Sequence, residues 1–597
     1  MNKITYLDGV RLYYALVAGA NNVIAHQKYL NKINVFPVPD GDTGTNMAFT
    51  LTHILDAIEK TIYRDIDKMF ACIADAALDG ARGNSGVILA QFFQGLSDGS
   101  AGIIKMTTKD FSKASQMGYE YARTALAEPK DGTILTILKD FSTTLIELTN
   151  SHTYDFKNLL EKVIKKTESS LLNTPNLLPI LKKSNVVDAG AQGFVDLLNG
   201  IYDFVLNGNL KYLEINIDNQ IINTKLNNIK NNLQNAKFQY CTECIIKGKN
   251  INHKKIHESL QENGDSLVIA GSKQKTKIHI HVNDPKRVFN MCTSFGIVSD
   301  EKIDDMWQQQ KIIKEPKNNV AIVTDSGADI PENCNLDIHI VPVKYNFGKA
   351  SYIDKLSHTP KEFYQELAKN PIHPQTSQPA PGDFRRRYQY LKSHYNSIIS
   401  IHIPHKVSGT FQSALNAANR LDNTNITVID GLSASVGLGL IIMKVANLLK
   451  QGLSHNEIES STLEIIHTTM FFIIVNDLSY VVKGGRLPYW VKIIADFFNI
   501  KLIMTTKNDG SMGFAGFIRG NASLTKKMYK FIHNKIDSNK MYNVSIGHSN
   551  ILEDAKKLRG MIEKKYQNLN SIHIVDIGCA LGVHTGPGAL AIALQPV

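Results

Sequence analysis

Between Tyr6 and about Phe204, apolar residues recur three and four positions apart, as at Leu12, Leu16, Ala20 and Val23, with little strand-like alternation. This spacing predicts an all-α domain over residues 1–205. The stretch from Gly208 to Asn235, rich in Asn, Ile and Lys, reads as a connector. Beyond it Gln239–Ile246, Ser266–Ala270 and Lys277–Val282 alternate or run apolar, separated by Asn-Gly-Asp and Gly-Ser. They predict the strands of a small α+β domain over 206–315. The pattern changes again after Lys314-Glu-Pro-Lys-Asn-Asn. There an apolar strand from Val320 ends in Asp325-Ser-Gly, as a parallel strand does where its carboxyl end opens on a crevice, so 316–597 reads as an α/β domain.

Polar residues concentrate at a few loops. Asn34–Met47 places Asp40 and Asp42 on one turn, with Gly41 and Gly44 freeing the backbone and Pro37 and Pro39 stiffening the approach. Hard oxygen ligands so arranged suit Mg²⁺ beside a phosphate, and a solvated turn is the plainer alternative. A calcium loop is excluded, because counting from Asp40 its fifth, sixth and twelfth positions fall on Gly44, Thr45 and Leu51. Gly80-Ala-Arg-Gly-Asn-Ser-Gly86 precedes an apolar run, so Asn84 or Ser85 is expected to cap a helix whose free N–H groups suit an anion. Asp131-Gly-Thr and Asp188-Ala-Gly likewise set an acid at a helix start, whereas the P-loop and protein-kinase signatures are absent. His279 and His281 lie two apart on one strand and face one side. Cys241 on another strand supplies a third ligand of the kind zinc takes, and Cys244, three along and on the opposite face, is the poorer candidate.

The stretches Asn34–Met47, Gly80–Gln91, Asp131–Thr136 and Val186–Leu197 resemble the nucleotide domain of dihydroxyacetone kinases, and more closely the ATP-binding domain of bacterial fatty acid kinase. The resemblance implies a helical barrel holding Mg-ATP at one rim, with magnesium on Asp40 and Asp42. Thr43, Asn46, Ser85, Gly86 and Asp188 would then surround the nucleotide. One departure is Asn34, near where dihydroxyacetone kinases carry a further ligand Asp. The middle segment resembles the central domain of the fatty acid kinase catalytic subunit, which implies zinc on Cys241, His279 and His281. From Asp325 onward, the loops around Thr376, Ser408, Arg486, Arg519 and His584 resemble the DegV-like fatty-acid-binding proteins, two-lobed α/β molecules. That likeness implies Thr376 and Ser408 on a fatty carboxylate, with Arg486, Arg519 and His584 as cations at the phosphate-accepting end. Asn476 and Leu502 depart from that pattern and bear on chain preference. Read from residue types alone, Ser408 and His584 would make a nucleophile and base, but Val407-Ser-Gly-Thr is not a hydrolase elbow.

The whole chain therefore reads as a multidomain fusion: helical barrel, small α+β domain and DegV-like carrier. Its expected activity is fatty acid kinase, with ATP, Mg²⁺ and Zn²⁺ as cofactors, catalytic roles for Asp40, Asp42, Arg486 and His584, and acyl phosphate for phospholipid synthesis as product. The alternatives are a carrier with an inactive or regulatory nucleotide domain and a dihydroxyacetone-type small-ketone kinase. Expected partners are fatty acid, a second copy of the chain, a downstream acyltransferase and, transiently, the membrane. The net charge of +11 is dispersed and lacks zinc-finger or RNA-recognition spacing, which points away from nucleic acid. Six scattered cysteines do not form a disulfide framework. With no 18-residue apolar run and no signal-peptide core, a cytoplasmic location is expected.

Overall fold

The computed structural model describes residues 3–597 apart from 152, 209–235, 315–318, 333, 335, 349, 422–424, 520–522 and 538. The expected connector lies, but for Gly208, outside the described residues. The chain forms two compact units, Met1–Pro316 and Lys317–Val597.

In the first unit, ten described helices run from α1 (Gly9–Ala25) to α10 (Ala189–Asn207). The predicted face of α1 is the buried one, with Leu12, Leu16, Ala20 and Val23 all at 9% exposure or less. Asp8 starts that helix by accepting from the Arg11 N–H. Three phenylalanines fill the centre: Phe92 from α5 (Gly83–Gly99), Phe141 from α7 (Ile134–Asn150) and Phe194 from α10. Phe194 meets both of the others edge to face, each with ring centroids 5.5 Å apart.

Four antiparallel strands follow, β1 (Tyr240–Lys247), β2 (Asp265–Gly271), β3 (Lys275–Val282) and β4 (Ile297–Asp305), in the order β2-β3-β1-β4. Their register sets Cys241 opposite His281 and Glu243 opposite His279. The free edge of β2 is covered by the helical domain: the Ala127 N–H donates to Leu267 O at 3.2 Å and the Ile269 N–H to Ala125 O at 2.9 Å. The helical domain and this sheet thus belong to one body.

The second unit is a two-lobed α/β structure. One lobe is built on a parallel sheet ordered β11-β10-β5-β6, from β11 (Ile426–Asp430), β10 (Ser397–His402), β5 (Val320–Asp325) and β6 (Ile338–Val341). The other holds a six-stranded sheet that includes β12 (Met470–Ile474), β13 (Ile500–Thr506), β14 (Met512–Arg519) and β17 (Leu590–Pro596). The helix Ser435–Lys450 contributes Leu438, Ile441 and Ile442 to the core of the first lobe, and Val436 and Leu440 to a cluster of the second. Its sequence is apolar all round because it is buried on both sides. No described helix is long and apolar enough to cross a membrane.

Because Phe194 joins three helices, Phe194→Ala is expected to cost about 3–5 kcal/mol. A lowered denaturant midpoint for the first unit measures this, and an unchanged midpoint would contradict the packing described.

Candidate functional site

The first unit contains a cavity of about 630 Å³. It is lined by Phe36, Val38, Asn84, Ser85, Lys130, Thr133, Asp188 and Gly190, and on the side of the small sheet by His257, Gln261 and Asp265–Leu267. Four expected pieces of the sequence therefore meet here. The helix α5 begins earlier than expected, with Arg82 at the cap position and no side-chain cap bond, so Asn84 and Ser85 lie in its first turn. That frees both polar side chains to face the cavity they line. Asp188 caps α10 by accepting from the Ala191 N–H at 2.8 Å. Burial lifts its carboxyl to about 7, against the hydrogen bonds from backbone N–H groups.

Asp40 and Asp42, on the loop that leads into α3 (Thr43–Ile58), are not among the residues lining this cavity. Asp40 is buried and Asp42 half-buried: burial and the charge of Asp42 hold Asp40 well above the usual carboxylate range, and burial raises Asp42 to about 6. Asn34 donates to Asp40 Oδ1 at 2.7 Å, so its amide is committed to that carboxylate. Thr43 opens α3 and is buried, and the Asn46 side chain hydrogen-bonds Asp42. A Cβ on Gly83 would lie 2.3 Å from Asn46 Nδ2, and Gly83 has φ +56°, so only glycine fits that junction. Through Asn46 the acid loop and the start of α5, with Ser85 and Gly86, share one region.

Cys241, His279 and His281 come together as expected, with one donor atom from each inside 4.8 Å of the others. Cys241 Sγ is 3.6 Å from His279 Nδ1, and the two imidazoles lie 5.1 Å apart. The chemistry of the group suits a cation. Burial first, then Glu243, Asp304, Asp42 and Asp40, push the Cys241 thiol well up, while burial lowers His281 and keeps it neutral. His279 Nε2 is buried without a hydrogen-bond partner. Cys244 is buried against Cys292, away from this group.

The second unit holds a cavity of about 350 Å³. Its walls include Ile403, Phe471, Ile473, Val475, Val481, Leu487, Val491, Met504, Ile577 and Leu581. Polar groups gather among them: Thr376, Gln378, Ser408, Arg486 and His584. Thr376 Oγ1 is 2.9 Å from His584 Nε2, and Ser408 Oγ is 2.9 Å from Thr410 Oγ1. An apolar chamber with a few convergent polar groups fits a ligand with a long hydrocarbon and one polar end.

Three family models match consecutive parts of the chain: a DAK2 domain over 37–203, the middle domain of FakA-like fatty acid kinase proteins over 237–313, and the uncharacterised DegV family over 319–597. The chain joins a DAK2 domain, a FakA-like middle domain and a DegV domain. An uncharacterized protein of Staphylococcus saprophyticus is 31% identical over 330 residues, covering 54% of this chain and 60% of the relative. The chain thus spans about three fifths of the length of such curated relatives. Among solved structures, DegV, a fatty acid binding protein from Bacillus subtilis, is 29% identical with a TM-score of 0.44, covering 47% of this chain and 99% of that one. The fatty acid kinase B3 protein of Streptococcus pneumoniae, loaded with linoleic acid, is 20% identical with a TM-score of 0.42, covering 46% and 99%.

Within the DegV domain, two residues depart from expectation. His584 is not a cation: burial, then Arg486 and His373, lower it to about 3, so it serves as a neutral hydrogen-bonding group. Arg519 ends β14 exposed and is not among the residues lining the cavity. Asp325, which closes β5, locks the loops at that end of the strand. It accepts from the Gly327 and Ile403 N–H groups and pairs with His402 Nδ1 at 2.9 Å. Asn476 takes up the Lys501 ammonium, and Leu502 packs beside the second-lobe core. Gly484 carries no side-chain chemistry of its own, yet a Cβ there would lie 2.1 Å from His584 Nδ1. The paired glycines before Arg486 are the sequence signal for this close approach.

Asp188 generates a pH test in the ligand-free protein. Its folded value of about 7 exceeds the ordinary 3.8, so between these the folded state holds the extra proton and stability falls as pH rises. Asp188→Asn should lessen that decline in the denaturant midpoint of the first unit. An identical slope in wild type and variant would remove Asp188 as its source.

Proposed function

We propose that this chain is a fatty acid kinase that carries its own acceptor. In this reading the domain over 1–205 binds ATP, the domain over 206–315 carries the zinc site, the domain over 316–597 binds a fatty acid, and the γ-phosphoryl group passes to the carboxylate. The observation that carries the proposal is the union in one chain of DAK2 and FakA-like middle domains with a DegV domain that encloses an apolar chamber with a polar cluster.

The residues have separable tasks. Asp40 and Asp42 would hold Mg²⁺, which neutralises charge on the transferring phosphoryl group. Ser85 and the first turn of α5 would take phosphate oxygens, with Gly86, Thr43, Asn46 and Asp188 around them. The Cys241, His279 and His281 donor set would hold Zn²⁺. In the carrier, Thr376, Ser408 and neutral His584 orient the carboxylate by hydrogen bonds, and Arg486 supplies positive charge. The carboxylate is itself the nucleophile and requires no general base, because a fatty acid is ionised at neutral pH. The chamber desolvates the chain, at about 0.8 kcal/mol for each buried methylene. Covalent linkage sets carrier and kinase at an effective concentration that reaches about mM when the connection lets them meet.

The acyl phosphate would feed phospholipid synthesis through a cytoplasmic acyltransferase, with a homodimer as one route for transfer between copies. Transient membrane contact is supported by the helix Tyr489–Phe497, which exposes Trp490 and Phe497 near exposed Phe514, while Trp490 and Phe514 also line the chamber. Cosedimentation with anionic vesicles should weaken in Trp490→Ser/Phe497→Ser. Unchanged binding, or none in wild type, would remove this surface from the proposal.

The commitment of Asn34 to Asp40, in place of a further acid, favours a second reading: a fatty-acid carrier with an inactive nucleotide domain. The two readings part in one experiment. Purified protein with ATP, Mg²⁺ and oleate should form acyl phosphate, and Asp40→Ala/Asp42→Ala should lower the rate at least about 100-fold while fatty acid still copurifies. Wild-type inactivity with bound lipid would establish the carrier instead. An extract without fatty acid by mass spectrometry would sink both.

A further inference from the structure

A buried charge cluster joins the small sheet to the start of α5, and the proposed transfer leaves it without a task. Glu243 on β1 is its centre, with only 5% of its side chain exposed. Its Oε1 accepts from the Gly83 N–H at 2.9 Å and lies 3.3 Å from His279 Nδ1. Its Oε2 lies 3.5 Å from Arg82 Nη1 and 3.4 Å from Lys277 Nζ. The Lys277 ammonium, itself buried, also donates to Ala81 O at 2.6 Å, and the Arg82 guanidinium donates to the same carbonyl.

Residues 81–83 are therefore gripped from the sheet side at each residue in turn. They lead directly into Asn84, Ser85 and Gly86, the first turn that faces the nucleotide cavity. Asn46 closes on Gly83 from the α3 side, leaving no room for a Cβ. This turn is thus held between Asn46 and the middle domain, and a single carboxylate oxygen of Glu243 bridges it to an imidazole of the Cys241, His279 and His281 group.

We propose that Glu243 is a positioning residue that couples the two sites, so that a divalent cation on the Cys/His/His group and nucleotide phosphate at the α5 turn tighten each other's binding. The inference rests on the proposed nucleotide and zinc assignments of these sites. A cation held by Cys241, His279 and His281 fixes the His279 ring, and so fixes the carboxylate that Gly83 leans on. Phosphate at the turn fixes Gly83, and through the same oxygen steadies His279. Glu243 is not itself a fourth member of the group, since only Cys241, His279 and His281 meet the spacing among the described residues. Linkage of this kind is reciprocal by thermodynamic necessity.

The test uses the full chain. Wild type is stripped of metal with a chelator, then titrated calorimetrically with a non-hydrolysable ATP analogue and Mg²⁺, with and without one equivalent of Zn²⁺. Zinc content is read separately by mass spectrometry. Wild type should bind the analogue about fivefold or more tightly when zinc is present, at the low end of typical couplings. Glu243→Gln, which keeps an acceptor for Gly83 but not the charge, should still bind both ligands while the zinc effect on nucleotide falls away. Equal nucleotide affinity with and without zinc in wild type would overturn the coupling alone. A zinc effect that persists undiminished in Glu243→Gln would overturn the role of that residue. Wild type that binds no nucleotide or no zinc would overturn the underlying reading and the coupling with it.

Discussion

Two carboxylates set side by side with little access to water cannot both ionise without a cation, and the first unit is organised around that constraint. Asp40 is buried and Asp42 half-buried, burial disfavours the ionised form of each, and the charge of Asp42 opposes ionisation of Asp40 further. Asn34 offers Asp40 one hydrogen bond and Asn46 offers Asp42 another, but amides do not neutralise charge. The surrounding groups compound the problem. Asp304 acts on Asp42, and the acid pair in turn raises the thiol of Cys241. A region that concentrates so many acids and soft or imidazole donors is costly when empty of cations and receptive to them.

The second unit meets the opposite problem, that of placing a little polarity in an apolar chamber. Its solution is a mostly uncharged cluster. His584 is held neutral because burial and the neighbouring guanidinium of Arg486 both oppose its protonation. It can therefore share a hydrogen bond with Thr376 without adding a second positive charge that would need its own counter-ion. The chamber draws residues from both lobes, from Gly327 and Ile403 to Phe471 and Met504, and the polar cluster comes from loops far apart in the chain. Gly484 lets a backbone segment lie against the His584 ring, which makes the spacing of this cluster a matter of packing.

Much of this was legible in the sequence because local pattern carries it. The 3.6-residue period around Leu12 to Val23 marked a buried helix face, and alternation through His279 and His281 set both rings on one side of a strand. Clustered glycine, acid and hydroxyl marked the loops that line both cavities. The role of Glu243 was half visible: two residues from Cys241 on a strand, it had to share that face, as Lys277 shares the face of His279. A buried Glu and Lys in apolar strands are signals in themselves. What the pattern could not reveal was that their target is the backbone of residues 81–83, roughly 160 positions earlier in the chain.

The sequence by itself determined which segments are helix and strand, which loops carry chemistry, and the donor types available to metal, phosphate and carboxylate, because those follow from periodicity and side-chain chemistry. Only the tertiary structure decided the states and alliances of those groups. It made His584 neutral, set Arg519 away from the chamber lining, turned Asp325 into a lock and closed the middle domain onto the start of α5. Each of these depends on burial and on partners distant in sequence, and both are created only when the chain packs.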